Sequence, residues 1–216
     1  MSLDAKATVK VGEFSRKGKS RVVTKGLDHD FQPDEKVTPY GILLPDYDRI
    51  YLYFTTGHVT SDFIADCIYD CWEQIKNDFL QVNTILLYQD NGPENNSRRT
   101  QFMYRMAQFV DQMNLTIQLA YYPPYHSKYN PIERVWGRLE QHWNGSLLDS
   151  VDVVLKFAQT MKWKHKSPVV KLVSGVYVTG KKLSQKAMSV LEQRFERDPE
   201  LGKWFVKIKP LASQCS

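Results

Sequence analysis

The stretch that decides the fold reads Thr84-Ile85-Leu86-Leu87-Tyr88-Gln89-Asp90-Asn91-Gly92. Its apolar first half is typical of a central strand covered on both faces, and the carboxylate of Asp90 follows where that strand ends. Ligands of open α/β sheets collect at the carboxyl ends of strands, so Asp90 is a candidate functional residue. Asp-Asn-Gly is also ordinary turn chemistry, and this stretch alone leaves both interpretations open.

A second informative string, Tyr129-Asn130-Pro131-Ile132-Glu133-Arg134-Val135-Trp136, opens a helical pattern and carries a carboxylate in its first turn. The structural alternative is a capping box, with Asn130 as the N-cap and Glu133 as the third helical residue. The preceding loop, Tyr121 to Lys128, is aromatic and basic, a composition that suits contact with a nucleic-acid backbone or base. A packed proline-aromatic loop is the alternative there.

The rest of the chain predicts the order strand, strand, strand, helix, strand, helix, strand, helix. A period of two from Leu3 to Val11 places Asp4 on the polar face of the first strand. These patterns predict a mixed five-stranded α/β sheet flanked by helices. The other predicted strands are Val37–Leu44, Ile50–Thr55, Thr84–Tyr88 and Leu115–Tyr121. The predicted helices begin at Thr60 or Ser61 and at about Ser97, and cover about 130–144, 150–162 and 183–197.

Composition sets limits on the class of protein. The chain has 216 residues, of which 42% are hydrophobic, enough for one sizeable core. A formal net charge of +5 favours a polyanionic partner without proving one. Three cysteines make neither a disulfide framework nor a zinc pattern, which favours a reducing compartment. No apolar run approaches the roughly 18 residues of a membrane span, so we expect a soluble, cytoplasmic protein.

Three strings together match a known family. Gln89-Asp90-Asn91-Gly92-Pro93, then Tyr122-Pro123-Pro124-Tyr125, then Asn130 to Trp136 closely resemble the DDE transposases of bacterial insertion sequences, which are related to mariner-like elements and retroviral integrases. The resemblance runs from Asp4 through about Trp143. It implies a ribonuclease H-like fold that holds two aspartates and one glutamate around two metal ions.

Carried over onto this sequence, the resemblance implies that Asp4, Asp90 and Glu133 are the catalytic residues and the metal ligands. Two Mg²⁺ (or Mn²⁺) ions about 3.5 to 4 Å apart, held by hard carboxylate oxygens, suit phosphodiester chemistry. The family resemblance implies that water attacks first and that the freed DNA 3′-hydroxyl then attacks the target strand. The expected reaction is thus DNA transposition, with integration or recombination of the element.

Basic side chains near these strings are the expected contacts to transposon ends and target DNA, and they would give salt-dependent binding without sequence preference. They are Arg16, Lys17, Lys19, Arg21, Arg98, Arg99, His126, Lys128, Arg134 and Arg138. A rival metal cluster, Asp28-His29-Asp30, lies in an irregular stretch and is interpreted as solvated or paired with the basic loop. Glu94 and Glu140 are candidate auxiliary carboxylates.

The predicted organisation has a ribonuclease H-like catalytic domain over 1–162 and a helical, basic C-terminal extension over 163–216. The full enzymes of this family carry an N-terminal helix-turn-helix domain, which we expect to be absent from this chain. The family also leads us to expect a homodimer and a nucleoid-associated location in a bacterial cytoplasm. Two alternatives stay open: a truncated or inactive remnant that only binds DNA, and a ribonuclease H-like nuclease that stops after water attack.

Overall fold

The computed structural model describes residues 1–14, 35–123 and 126–211, and these form nine strands and five α-helices. The strands are β1 (Ser2–Ala5), β2 (Val9–Val11), β3 (Glu35–Leu44), β4 (Arg49–Thr55), β5 (Thr84–Gln89), β6 (Thr116–Tyr121), β7 (Val169–Leu172), β8 (Phe195–Arg197) and β9 (Phe205–Ile208). The helices are α1 (Ser61–Ile75), α2 (Thr100–Met113), α3 (Ile132–Trp143), α4 (Val151–Thr160) and α5 (Gln185–Glu192). The chain divides into two compact units: Met1–Leu3 with Val59–Asn130 and Tyr177–Ser216, and Asp4–His58 with Pro131–Val176.

The strand order in the first unit is β1-β5-β6-β9-β8, where β1 contributes only Ser2 and Leu3 to this unit. β5 pairs in parallel with β6 along its whole length, and on its other side Ser2 of β1 lies opposite Tyr88, also in parallel. β9 runs antiparallel to both β6 and β8. Two parallel pairs beside two antiparallel ones make this part of the sheet mixed, as the strand order predicts.

Helix α1 has the apolar stripe that its sequence predicts. The side chain of Thr60 accepts a hydrogen bond from the Phe63 amide and caps the helix, as expected for this residue type. Cys67 and Cys71 lie in the buried stripe, and neither forms a disulfide in the described residues. Burial raises the pKa of the Cys67 thiol well above its ordinary value, since the thiolate would lose its hydration. The helix cysteines are therefore core residues.

Asp62 is a buried carboxylate that connects three segments of the first unit. It accepts hydrogen bonds from Gln101 (2.7 Å) and Arg105 (2.9 Å) of α2 and from Lys181 (2.7 Å) of the C-terminal segment. Burial opposes its ionisation, but the hydrogen bonds from Lys181, Gln101 and Arg105 outweigh burial and hold the pKa of Asp62 below its ordinary value. Its charge therefore stabilises the attachment of the C-terminal segment to α1 and α2.

Asp62→Asn is expected to lower the free energy of unfolding at neutral pH by about 2 kcal/mol, because hydrogen bonds between charged partners are lost. A lowered folded pKa means that this stabilisation is present above the unfolded pKa of about 3.9 and is lost as the pH falls through the folded value. The difference in the free energy of unfolding between parent and variant should therefore disappear in acid. Urea unfolding midpoints at neutral and acidic pH measure it, with the exposed Asp149→Asn as control; a gap that persists in acid would contradict the assignment.

The second unit is built on the hairpin of β3 and β4, which pair antiparallel from Thr38↔Thr55 to Leu44↔Arg49. β2 adds antiparallel to β3, and β7 adds in parallel to β4. Apolar side chains of these strands form one buried core with those of α3 and α4, among them Trp136 and Trp143. The strands predicted at Val37–Leu44 and Ile50–Thr55 are confirmed as β3 and β4.

The structure corrects four details of the predicted fold. The first strand is interrupted, so that Leu3 to Val11 forms β1 and β2. The expectation that β5 is covered on both faces is wrong, because its burial alternates and Tyr88 is 38% exposed. The C-terminal segment is not simply helical: α5 is shorter than predicted, and β7, β8 and β9 are additional strands. The sheet strands thus number nine in the described residues, against five predicted.

Candidate catalytic carboxylates

Asp90 lies directly after β5 in the first unit, where the sequence predicts it, and is half-buried. Its Oδ1 accepts a hydrogen bond of 3.1 Å from the side-chain amide of Asn95, which also donates to the Asp90 carbonyl (3.1 Å) and to Gln89 Oε1 (3.2 Å). Asn95 is itself fixed, since its carbonyl accepts from the Tyr121 hydroxyl at 2.9 Å. The carboxylate is thus oriented by an amide that the sequence analysis did not single out.

Gly92 makes room for this contact. A Cβ atom there would lie 2.8 Å from Asn95 Oδ1 and 3.3 Å from both carboxylate oxygens of Asp90. Its φ is not in the left-handed region, so the interpretation of Asp-Asn-Gly as a tight turn of the Asn-Gly type is wrong. Glycine is needed here for space rather than for backbone conformation.

Asn95→Ala is expected to reduce the activity that depends on Asp90 by about 10- to 100-fold, the usual cost of losing a hydrogen bond that orients a ligand. The fold should remain intact, although the partly satisfied Gln89 side chain loses a donor. Activity and thermal unfolding measured side by side separate the two effects. Asn83→Ala, an exposed asparagine before β5, is the matched control; a stable Asn95→Ala with full activity would show that Asp90 needs no such support.

Glu94, a candidate auxiliary carboxylate, has a structural role. It accepts hydrogen bonds from the backbone amide and hydroxyl of Ser61 (3.0 and 2.9 Å) and pairs with Arg99 at 3.1 Å. Glu94 thus attaches the loop after Asp90 to the first turn of α1, where a carboxylate is favourable. The guanidinium of Arg99, a predicted DNA contact, is used in the same ion pair.

Asp4 and Glu133 both belong to the second unit, and both are half-buried. The indole Nε1 of Trp136 donates a hydrogen bond of 2.8 Å to Asp4 Oδ2. Trp136 lies three residues after Glu133 on α3, so the helix that carries the glutamate also orients the aspartate. At 5% exposure Trp136 is a core residue as well.

Asn130 does not act as the predicted N-cap of α3. Its side-chain amide donates to the Leu3 carbonyl at 2.9 Å, and its Oδ1 accepts from the Ser2 hydroxyl. Asn130 is 1% exposed and lies three residues before Glu133. The capping-box interpretation of Asn130 is therefore wrong, and the side chain of Asn130 instead binds Ser2 and Leu3 within the first unit.

The sequence of this chain matches a known protein family. The family described as the Rhodopirellula transposase DDE domain matches residues 1–210, almost the whole chain. The chain belongs to this family. The resemblance inferred from the sequence strings is thereby confirmed, and the protein is a transposase DDE domain.

The fold of the DDE domain is similar to that of a solved transposase structure. No curated protein matches it in sequence. A solved structure, the Mos1 transposase paired-end complex with left transposon end, is 12% identical with a TM-score of 0.50 and covers 72% of this chain and 45% of that chain. At this identity the likeness shows the fold, which is ribonuclease H-like as expected. The DDE domain spans less than half the length of that chain.

The predicted DNA contacts of the DDE domain fall into three groups. Arg16, Lys17, Lys19 and Arg21 lie outside the described residues, as does Asp28-His29-Asp30. Arg98, Lys128, Arg134 and Arg138 are exposed, and Arg98 lines an open cleft of about 410 Å³ with Arg197 and Lys203. His126 is also exposed and its ring stacks on Tyr129, with the ring centroids 5.9 Å apart. Glu140 forms an ion pair with Lys6.

The donor chemistry around Asp90 fits a hard cation. Within the described residues no three His, Cys, Asp or Glu side chains form a group that could hold a metal. The side-chain oxygen of Asn91, next to Asp90, is buried and has no hydrogen-bond partner there. A buried amide oxygen beside a carboxylate can bind Mg²⁺ directly or accept a hydrogen bond from a water bound to it. No helix in the same residues is long and apolar enough to span a membrane.

Proposed function

We propose that this DDE domain cleaves and joins DNA strands as the catalytic part of a transposase, with Asp4, Asp90 and Glu133 as its catalytic residues. One observation carries the proposal: Asp90 directly follows β5, at the carboxyl end of a parallel strand, in a chain whose residues 1–210 match the transposase DDE family. Asp4 in β1 and Glu133 in the first turn of α3 are proposed as the other two carboxylates because they match the family's motif positions.

The same three carboxylates would hold two divalent ions, Mg²⁺ or Mn²⁺. When bound, such ions polarise the phosphoryl group and stabilise the attacking and leaving oxygens. The protein's own contribution is orientation, because Trp136 fixes one oxygen of Asp4 and Asn95 fixes one oxygen of Asp90. Partial exposure of all three carboxylates agrees with a site that must admit a DNA strand.

DNA is the proposed partner, both as transposon end and as target, and basic side chains such as Arg98, Lys128 and Arg134 are proposed to contact its phosphates. We also propose a homodimer, because transposition joins two ends in one event. The proposed catalytic domain comprises 1–162, with 163–216 as an extension that completes the sheet through β7 and β9. A cytoplasmic, nucleoid-associated location follows from this function.

Incubation of the protein with Mg²⁺ or Mn²⁺ and labelled DNA carrying the element's own ends tests the proposal. Joined strands are the expected product. Cleavage without joining would favour the alternative of a ribonuclease H-like nuclease, and DNA binding without either reaction would favour an inactive remnant. Both alternatives keep the fold, so the products of the assay decide among the three.

A further inference from the structure

The second unit contains a turn with unusual residues at its centre. Trp163 and Lys166 are joined by two backbone hydrogen bonds, each of 2.9 Å. The two residues between them, Lys164 and His165, have φ values of 44° and 70°. A two-residue turn with both central residues in the left-handed region is the one that Asn-Gly adopts at least cost. A Lys-His pair at these positions is strained, and strain of this kind collects at functional sites.

Contacts with the neighbouring turn between β3 and β4 hold this strained turn in place. Lys166 Nζ donates to the Tyr47 carbonyl at 2.7 Å, and Lys164 Nζ lies 2.8 Å from Asp48 Oδ1. Asp48 also has a positive φ, of 51°. Three of the four non-glycine residues with positive φ in the described residues thus belong to this pair of turns. Lys164 nevertheless stays 62% exposed at its side chain, so that its charge faces solvent.

Positive charge continues from this turn onto α3. Arg134 and Arg138 are exposed and lie one helical turn apart, on the same face of the helix. Arg138 Nε donates to the Lys162 carbonyl at 3.3 Å, which joins that face to the turn. Lys162, Lys164 and Lys166 are all exposed. Against these five cations stand Asp46 and Asp48 of the adjoining turn, and Glu140 of α3 is already paired with Lys6. The surface is therefore strongly positive.

We propose that this basic surface, consisting of Arg134, Arg138, Lys162, Lys164, His165 and Lys166, binds the phosphate backbone of duplex DNA. The inference rests on the proposed function and deepens it, since α3 also carries Glu133, the proposed catalytic glutamate. Contacts to phosphates position a duplex without reading its sequence. Cations at the centre of the turn explain why the strained pair is kept, because Asn-Gly would relieve the strain and remove the charge.

The double variant Lys164→Asn/His165→Gly tests this directly, because it installs the residue pair that the turn favours. We expect its thermal unfolding midpoint to rise by about 3 °C. Its affinity for duplex DNA should fall about three- to tenfold, and the slope of log affinity against log salt should decrease in size by about 1. A gain in stability combined with a loss of DNA binding is a result that a merely structural turn would not give.

Lys156→Gln is the matched control, since Lys156 is an exposed lysine of the same unit that lies outside the surface and pairs with Asp152. Its salt slope should equal that of the parent. A more stable double variant that binds DNA as the parent does would overturn the proposal. If the double variant fails to fold, Lys162→Gln/Lys166→Gln leaves the two strained residues in place; a slope smaller by about 2 supports the proposal, and an unchanged slope overturns it.

The same measurements separate this inference from the proposed function. A parent that binds duplex DNA through this surface but neither cleaves nor joins it would contradict the proposed function alone. A parent that cleaves and joins DNA, with variants whose affinity and slope are unchanged, would contradict the inference alone. A parent without affinity for duplex DNA would contradict both.

Discussion

Asp90→Asn is expected to reduce DNA cleavage and joining by about three orders of magnitude or more. Asparagine keeps the size of the side chain but removes the negative charge that a divalent ion requires. Stabilisation of transition-state charge by bound ions is worth several kcal/mol, and each 1.4 kcal/mol is about a factor of ten in rate. Because Asp90 is half-buried and makes one hydrogen bond to Asn95, the change should leave the fold intact.

Product formation by parent and variant under identical metal and DNA concentrations measures this effect, and thermal unfolding confirms that the variant folds. Asp149→Asn is the matched control, because Asp149 is exposed and belongs to the loop before α4. Asp4→Asn and Glu133→Gln should behave like Asp90→Asn. Equal activity of parent and Asp90→Asn would remove Asp90 from the catalytic residues and contradict the proposed function.

Gly41→Ala is expected to destabilise the protein by about 3 kcal/mol and to reduce its activity as well. A Cβ atom on Gly41 of β3 would lie 2.5 Å from Cη2 and 2.8 Å from Cζ2 of Trp136, and 2.9 Å from Cδ1 of Ile132. Overpacking of a dense core costs about 1 to 3 kcal/mol, and the rigid ring of Trp136 places this site at the upper end. Displacement of Trp136 would also move the indole N–H away from Asp4.

Chemical unfolding measures the stability, and Gly137→Ala supplies the matched control. Gly137 lies on the exposed side of α3 with nothing within 4 Å of an added Cβ, so alanine there should stabilise by about 0.5 to 1 kcal/mol. Trp136→Phe removes both the clashing ring and the indole donor. It should therefore partly restore stability in the Gly41→Ala background without restoring activity. Additive effects of the two changes would show that Gly41 and Trp136 do not interact.

The sequence predicted the elements whose hydrophobic period is long or whose turn is distinctive. Helix α1, with its Thr60 cap, and the hairpin of β3 and β4 are of this kind. Strands β8 and β9 have only three and four residues, too few to establish a period of two. Strand β9 depends on pairing with β6, which is far away along the chain, and β8 depends on pairing with β9. No local pattern reports such pairing.

In the candidate site, local sequence patterns again reveal some residues and not others. Asp90 and Glu133 stand out because each lies where a predictable element ends or begins. Asn95 and Trp136 do not, because donation to a carboxylate depends on tertiary placement that neither residue type reveals. Asn130 shows the limit most clearly: its position before Pro131 predicts a helix cap, yet its side chain is used by Ser2 and Leu3.

The bond between Asn130 and Leu3 joins residues 127 positions apart, which has a consequence for biosynthesis. Ribosomes add about 5 to 20 residues each second, so β1 leaves the ribosome many seconds before Asn130 exists. Strand β9, which pairs with β6, is synthesised later still. Contacts between such distant residues form slowly and late. A half-made chain therefore contains Asp4 and Asp90 but not yet Glu133, and all three carboxylates proposed as catalytic exist only after α3 has been synthesised.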